Sequence, residues 1–169
     1  MHSNFFLIGP PGVGKTAVGR QLARQLGRLF YDSDHEIECQ TGVSIGEIFD
    51  IEGEAGFRKR ESSAIDKLSQ YDAIVLSLGG GAVLMPRNRE ILRDRGTIIY
   101  LRASLETQLT RVSHRKNARP LLNAADLRQK VIALNEQRTS LYQSMADYIY
   151  DTDVDSPRDI SMNIMRALR

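Results

Sequence analysis

The chain has 169 residues and a formal net charge of +2, which allows one domain with a buried core and says little about nucleic acid or membrane. Its apolar fraction is 41% and its charged fraction 26%, ordinary for a globular domain, and no apolar run approaches the roughly 18 residues of a membrane span. Cys39 is the single cysteine, so no internal disulfide forms; with no basic, apolar leader ahead of the first strand, a cytoplasmic location is expected.

Asn4 to Ile8 reads as a first strand running into a Gly/Pro loop. Ala17 to Leu26 is amphipathic, with Val18, Leu22 and Leu26 on one face, and Gly27 stops it. Leu29 to Tyr31 is a short second strand. Ser44 with Glu47 has the form of a capping box opening a small helix, and a second helix runs from near Ala55 to Gln70. Ala73 to Leu78 is apolar without alternation, as a central strand is. Arg87 to Arg95 is helical and stops at Gly96; Thr97 to Leu101 is a strand; Leu105 to Val112 is helical. Ser113 to Asn123 is polar, basic and irregular, the composition of a functional loop or lid. Ala124 to Met145 is a long helix and Tyr148 to Tyr150 a last strand. Ser156, Pro157 and Asp159 then supply a cap, a first-turn proline and an early acid for a helix ending near Leu168. Strands separated by helices imply an α/β fold, a parallel sheet covered on both faces, in a single domain over residues 1–169.

Gly9-Pro-Pro-Gly12-Val13-Gly14-Lys15-Thr16 matches G-x-x-x-x-G-K-[ST] between a strand and a helix. Glycines there turn backbone N–H groups onto phosphate oxygens, and the positive end of the following helix adds to the field. Lys15 reaches the β- and γ-phosphates, and the Thr16 hydroxyl suits Mg²⁺. A phosphate loop alone does not separate kinase, GTPase and motor. The N/T-K-x-D motif of a GTPase is missing, and the strand Ala73 to Leu78 runs into Gly79-Gly80-Gly81 without a terminal acid. A magnesium-side carboxylate therefore has to come from the second strand, Tyr31-Asp32-Ser33-Asp34, at the carboxyl end where parallel sheets place ligands. There one acid serves magnesium and the other accepts or orients the proton of an attacking hydroxyl. Alternatively the pair is a solvated acidic turn capping the next helix. The three glycines let a substrate come close to backbone.

In order along the chain stand Gly9 to Thr16, Asp32 to Asp34, Phe57-Arg58-Lys-Arg-Glu61, Gly79 to Gly81, Arg119-Pro-Leu-Leu122 and Glu136-Gln-Arg138-Thr-Ser-Leu-Tyr142. This six-part series resembles the shikimate kinase family over essentially the whole chain. The resemblance implies a P-loop NTPase-type, three-layer α/β/α fold of the nucleoside-monophosphate-kinase kind, with a five-stranded parallel sheet, a mobile lid at about 113–123 and a substrate-binding helical region at about 34–62. It implies ATP with one Mg²⁺ ion, shikimate phosphorylated at its 3-hydroxyl, and a monomer without nucleic-acid or membrane partners. It assigns catalysis to Asp34, Lys15 and Arg119, and magnesium to Thr16 and Asp32. Nucleotide contacts fall to Gly12, Val13, Gly14, Lys15, Thr16, Ala17, Arg111, Arg119 and Pro157. The substrate falls to Asp34, Arg58, Gly79, Gly80, Gly81 and Arg138, with the two arginines clamping its carboxylate. From Arg111 to Arg119 the spacing is one residue longer than the family pattern, so the arginine over adenine is Arg111 or Arg115. Other classes remain to be told apart by assay: a gluconate or nucleoside-monophosphate kinase, a nucleotide-binding regulator without catalysis, or an RNA binder using the basic lid. The last lacks aromatics interleaved with its arginines, and no histidine has the spacing of a zinc site.

Overall fold

The computed structural model describes residues 4–115 and 124–168. Its strands are β1 (Asn4–Ile8), β2 (Leu29–Asp32), β3 (Ile74–Ser77), β4 (Gly96–Arg102) and β5 (Tyr148–Asp151). Every pairing is parallel, and the spatial order is β2-β3-β1-β4-β5. The crossovers are α1 (Lys15–Leu26), α2 (Ser33–Thr41), α3 (Ile45–Leu68), α4 (Pro86–Arg95), α5 (Leu105–Ser113) and α6 (Ala124–Met145), with α7 (Pro157–Ala167) closing the chain.

The three-layer arrangement follows from the two-residue period of a strand acting on all-apolar sequences. Phe5 and Leu7 of β1 join Val75 and Ile99 under α1 and α7, against Val18, Leu22, Ile160 and Ile164. Phe6 and Ile8 join Leu76, Ile98 and Tyr100 on the other face, against Ile65 and Leu68 of α3, Leu92 of α4 and Tyr142 of α6. Residues next to each other in β1 thus feed two separate cores, and each fully buried Leu or Ile contributes about 1.5–3 kcal/mol. A third, smaller cluster of Ile37, Ile48, Phe57 and Ala64 fixes α2 against α3.

Register sets the level of the cleft. Asp32 of β2 and Leu7 of β1 both lie opposite Ser77 of β3. Past that line the three adjacent strands release the phosphate loop, the start of α2 and the glycines Gly79 to Gly81 at the same height.

Several boundaries differ from the sequence expectation. The residues after Asp32 form no loose acidic turn: α2 begins at Ser33, immediately after β2. α1 starts at Lys15, two residues before the expected Ala17, because the phosphate loop delivers Gly14 as its cap. β3 is trimmed to Ile74–Ser77, with Ala73 held at a φ of 55°. The Ser44 capping box is present, and Gly53 (φ 72°, ψ −179°) marks the kink between that first helical stretch and the one carrying Phe57 to Leu68. α6 spans the residues expected of it. Of the expected lid, Ser113 closes α5 and His114 and Arg115 follow it; the remainder, with Arg119, lies outside the described residues. No helix among the described residues is long and apolar enough to cross a membrane.

Candidate active site

The phosphate loop turns on backbone that only glycine tolerates. Gly12 has a φ of 82°, and a Cβ there would stand 2.8 Å from the Gln108 carbonyl oxygen. Val13 is buried beneath the loop, where its carbonyl accepts the Thr152 hydroxyl at 2.7 Å. Arg111 completes this staple, donating from Nη2 to the Thr152 carbonyl (2.6 Å) and from Nη1 to the Thr152 hydroxyl (3.0 Å) and the Gly12 carbonyl (3.4 Å). One arginine of α5 therefore ties the end of β5 to the underside of the loop.

Lys15 Nζ donates to the carbonyls of Gly9 (2.7 Å) and Pro10 (2.9 Å). Burial lowers its pKa to about 8, and the positive charge of Arg115 adds to that. Thr16 Oγ1 donates to Asp32 Oδ2 at 3.0 Å, while Asp32 Oδ1 accepts from the backbone N–H groups of Asp34 (3.0 Å) and His35 (3.3 Å). Asp32 is thus the N-cap of α2 and the partner of the phosphate-loop hydroxyl at once. Asp32 is a helix cap, and that role leaves its Oδ2, beside the Thr16 hydroxyl, placed where a cation could bind. A hydroxyl and a carboxylate oxygen held together beside a phosphate loop form the hard oxygen donor set that Mg²⁺ accepts.

The helical turn begun by Asp32 swings Asp34 toward the end of β3. Asp34 Oδ1 is sealed from solvent and has no partner among the described residues. Loss of hydration pushes the Asp34 pKa up to about 6, and the like charge of Asp32 adds to the rise. A Cβ on Gly79 would stand 2.8 Å from Asp34 Oδ1 and 3.0 Å from Glu61 Oε2. Glycine at this position is a condition for the two carboxyls to meet there. A Cβ on Gly81 would fall on the Arg58 guanidinium, and one on Gly80 would lie 3.3 Å from Arg138 Nη1. The Gly80 carbonyl accepts the Tyr142 hydroxyl at 2.6 Å. The triple glycine is therefore a floor on which two arginines rest.

Arg58 and Arg138 come from opposite sides of that floor. Arg58, on α3, donates from Nη1 to Glu61 Oε1 (2.8 Å) and from Nη2 to the exposed Glu54 (3.4 Å), and stands over the Phe57 ring. Arg138, on α6, is buried, with 8% of its surface exposed. Glu61 is fully buried. Loss of hydration lifts its pKa to about 7 against the opposing charge of Arg58. Burial also raises the Tyr142 phenol to about 12, so it donates at every physiological pH.

A cleft of about 690 Å³ is lined by Lys15, Thr16, Asp32, Asp34, Gly79 and Gly80, whereas Gly81 and the two arginines against the glycine floor, Arg58 and Arg138, are not among its lining residues. Ala17 and Arg115 line it too. Of the two candidates for an adenine contact, Arg111 is engaged beneath the phosphate loop and Arg115 faces the cleft beside Lys15. Pro157 is exposed in the first turn of α7 and is not among the residues lining this cleft. Sequence reasoning gave no role to Glu61 or Thr152. The first was legible from its spacing, since Arg58 and Glu61 three apart share a helix face. Thr152 stands far along the chain from the loop it supports and carries no local signal.

The family model described as shikimate kinase matches residues 11–169. The chain belongs to the shikimate kinase family. A shikimate kinase of Chromobacterium violaceum is 55% identical over 149 residues, covering 88% of this chain and 80% of that protein. One from Coxiella burnetii is 48% identical, covering 96% and 92%. The solved structure of shikimate kinase from Acinetobacter baumannii in complex with shikimate superposes with a TM-score of 0.91 at 45% identity, covering 98% of this chain and 92% of that one. The function is that of a shikimate kinase, an ATP-dependent kinase with shikimate as acceptor. The sheet and its covering helices are those of the shikimate kinases.

Proposed function

We propose that this cleft transfers the γ-phosphate of ATP to the 3-hydroxyl of shikimate by the following division of labour. Backbone N–H groups of Gly12, Val13, Gly14 and Ala17 cradle the nucleotide phosphates, and Lys15 leaves its carbonyl partners to neutralise the β- and γ-phosphates. Thr16 and Asp32 hold one Mg²⁺, which supplies neutralisation of charge shared across those phosphates. Arg58 and Arg138 clamp the shikimate carboxylate from two sides, with Gly79, Gly80 and Gly81 close beneath the ring. Asp34 aligns the hydroxyl. As the oxygen–phosphorus bond forms and the bond to the β,γ-bridging oxygen breaks, the hydroxyl proton passes to Asp34 and ADP departs. Arg119 neutralises the transferring group from a lid at about 113–123. Arg115, or Arg111 once released from Thr152, packs on adenine, with Pro157 at the border of the base. The single domain works as a cytoplasmic monomer, with α2 and the first part of α3 (about 34–62) as its acceptor-binding region.

The observation that carries this reading is the convergence, at the ends of three adjacent strands, of the phosphate-loop pair Lys15/Thr16, the acids Asp32/Asp34 and the glycine floor with its two arginines. The test is ADP release from Mg-ATP with and without shikimate, quinate and gluconate as control acceptors, and phosphorus NMR of the product to locate the ester. Shikimate-dependent turnover giving the 3-phosphate is the expected result. Turnover of gluconate in preference to shikimate, or an ester at another hydroxyl, would overturn it.

A further inference from the structure

Glu61 is a charged side chain with no contact to solvent, and the division of labour above leaves it without a chemical task. Its Oε1 holds Arg58 Nη1 at 2.8 Å, while its Oε2 is buried without a partner among the described residues. That second oxygen and Asp34 Oδ1, equally unpartnered, lie within 3.0 Å of one point above Gly79. Two carboxyls thus share one dry corner. The charged groups that face Glu61 are Arg58 from its own helix, Asp34 from α2 and Arg138 from α6. Two positive and two negative charges are close to balance.

An acid clamped by Arg58 and Arg138 brings a third carboxylate into that corner. The two guanidiniums then serve three negative groups, in surroundings with little water to screen the excess. Asp34, nearest the cleft and needed as an ion, is the poorer place for a compensating proton. Glu61, deeper and already poised near neutrality, is the better one.

We propose that binding of shikimate is coupled to uptake of a proton by Glu61, so that the buried carboxyl turns neutral and gives up its share of the Arg58 charge to the incoming carboxylate. The step is an acid–base one: the proton comes from solvent or buffer, and Glu61 changes from a competing anion to a neutral acceptor that still receives the Arg58 hydrogen bond. Linkage fixes the sign. A group whose pKa rises on binding takes up protons between its free and bound values, and affinity falls as pH rises through that window. With the free value about 7, the window opens just above neutrality. Below it Glu61 is protonated in both states, and far above it in neither.

This inference rests on the two-arginine clamp proposed above, and its test separates the two. Shikimate binding to the full chain is measured by titration calorimetry at pH 7.5 in HEPES and in Tris, whose different ionisation heats report the protons exchanged. Wild type should take up roughly half a proton per shikimate, and its Kd should rise about three- to tenfold between pH 7 and pH 8.5. Glu61→Gln keeps an acceptor for Arg58 but cannot titrate; its uptake should vanish and its Kd should become flat across that range. A merely structural role would shift Kd by one factor at every pH and leave the uptake in place. Zero uptake in wild type, or equal uptake in Glu61→Gln, would overturn the inference while leaving the clamp standing. Absence of any shikimate binding in wild type would bring down the clamp as well.

Discussion

The two halves of the cleft are built on opposite principles. On the nucleotide side the phosphate-loop side chains and their supports already have partners among the described residues: Lys15 on two carbonyls, Thr16 on Asp32, Asp32 on the first turn of α2, Arg111 on Thr152. On the acceptor side several buried polar atoms stand open beside partnered ones, with Asp34 Oδ1, Glu61 Oε2, Arg58 Nε and Arg138 Nε lacking partners among the described residues. Unsatisfied buried groups cost about 1–3 kcal/mol each, so that half of the site carries a free-energy cost that only a ligand with matching donors and acceptors relieves. The nucleotide half is self-sufficient and general; the acceptor half is incomplete and selective.

The contrast has consequences of graded size. Asp34→Asn removes the acceptor-side acid but no nucleotide partner. It should lower kcat by about 10²–10⁴-fold while leaving the ATP dissociation constant within about threefold. An equal loss in ATP binding would show that the halves are not separable. In wild type the same group sets an acid limb. Asp34 acts as an ion, its pKa in the free protein stands near 6, and kcat/KM for shikimate should lose about tenfold per unit below that pH. A limb near pH 4 would mean that burial does not control Asp34.

Gly81→Ala places a methyl group where the Arg58 guanidinium lies. The KM for shikimate should rise about tenfold, equivalent to about 1.4 kcal/mol, with the KM for ATP unchanged. A rise in both would point to a general disturbance of the cleft. Thr152→Val acts on the other half, leaving the Val13 carbonyl and part of Arg111 without partners. It should cost about 1–3 kcal/mol of stability and raise the KM for ATP severalfold while sparing shikimate. An unaffected melting temperature would remove the staple from the loop's support.

The smallest effect is on stability. Because the folded pKa of Asp34 is raised, the fold favours its protonated form, and the stability this contributes is lost as pH rises through about 6. Asp34→Asn should therefore melt about 2–4 °C higher than wild type at pH 7.5, and the difference should shrink below pH 6 and close below about pH 4. A lower melting temperature at pH 7.5 would mean that the ionised carboxylate is well satisfied in the free protein.

The nucleotide half was the more legible in the sequence for the same reason that it is self-sufficient. Its geometry is local: eight consecutive residues, a strand before and a helix after. Gly79 to Gly81 were readable as a close-approach surface, although what approaches was not. α2 was expected only through the resemblance, as part of a helical region at about 34–62, because Ser33 to Thr41 has few apolar residues and no clear helical stripe of its own. Asp32 as cap with Asp34 and Glu36 in the first turn was the available signal. Arg58 and Arg138 are eighty residues apart, and only the crossover of α6 over the third strand end brings both to one floor. Spacing along the chain carries no trace of that meeting, nor of Thr152 beneath the phosphate loop.

The hold of the Gly9 and Pro10 carbonyls on Lys15 gives the phosphate loop an internal competitor for its own lysine. An anion entering the loop has to displace two hydrogen bonds of 2.7 and 2.9 Å before it gains the amine. A small, weakly bonding ion such as chloride or bicarbonate offers too little in return, whereas a polyphosphate answers the loop N–H groups and the lysine together. The loop thereby favours ligands that engage it at several points over those that engage it at one.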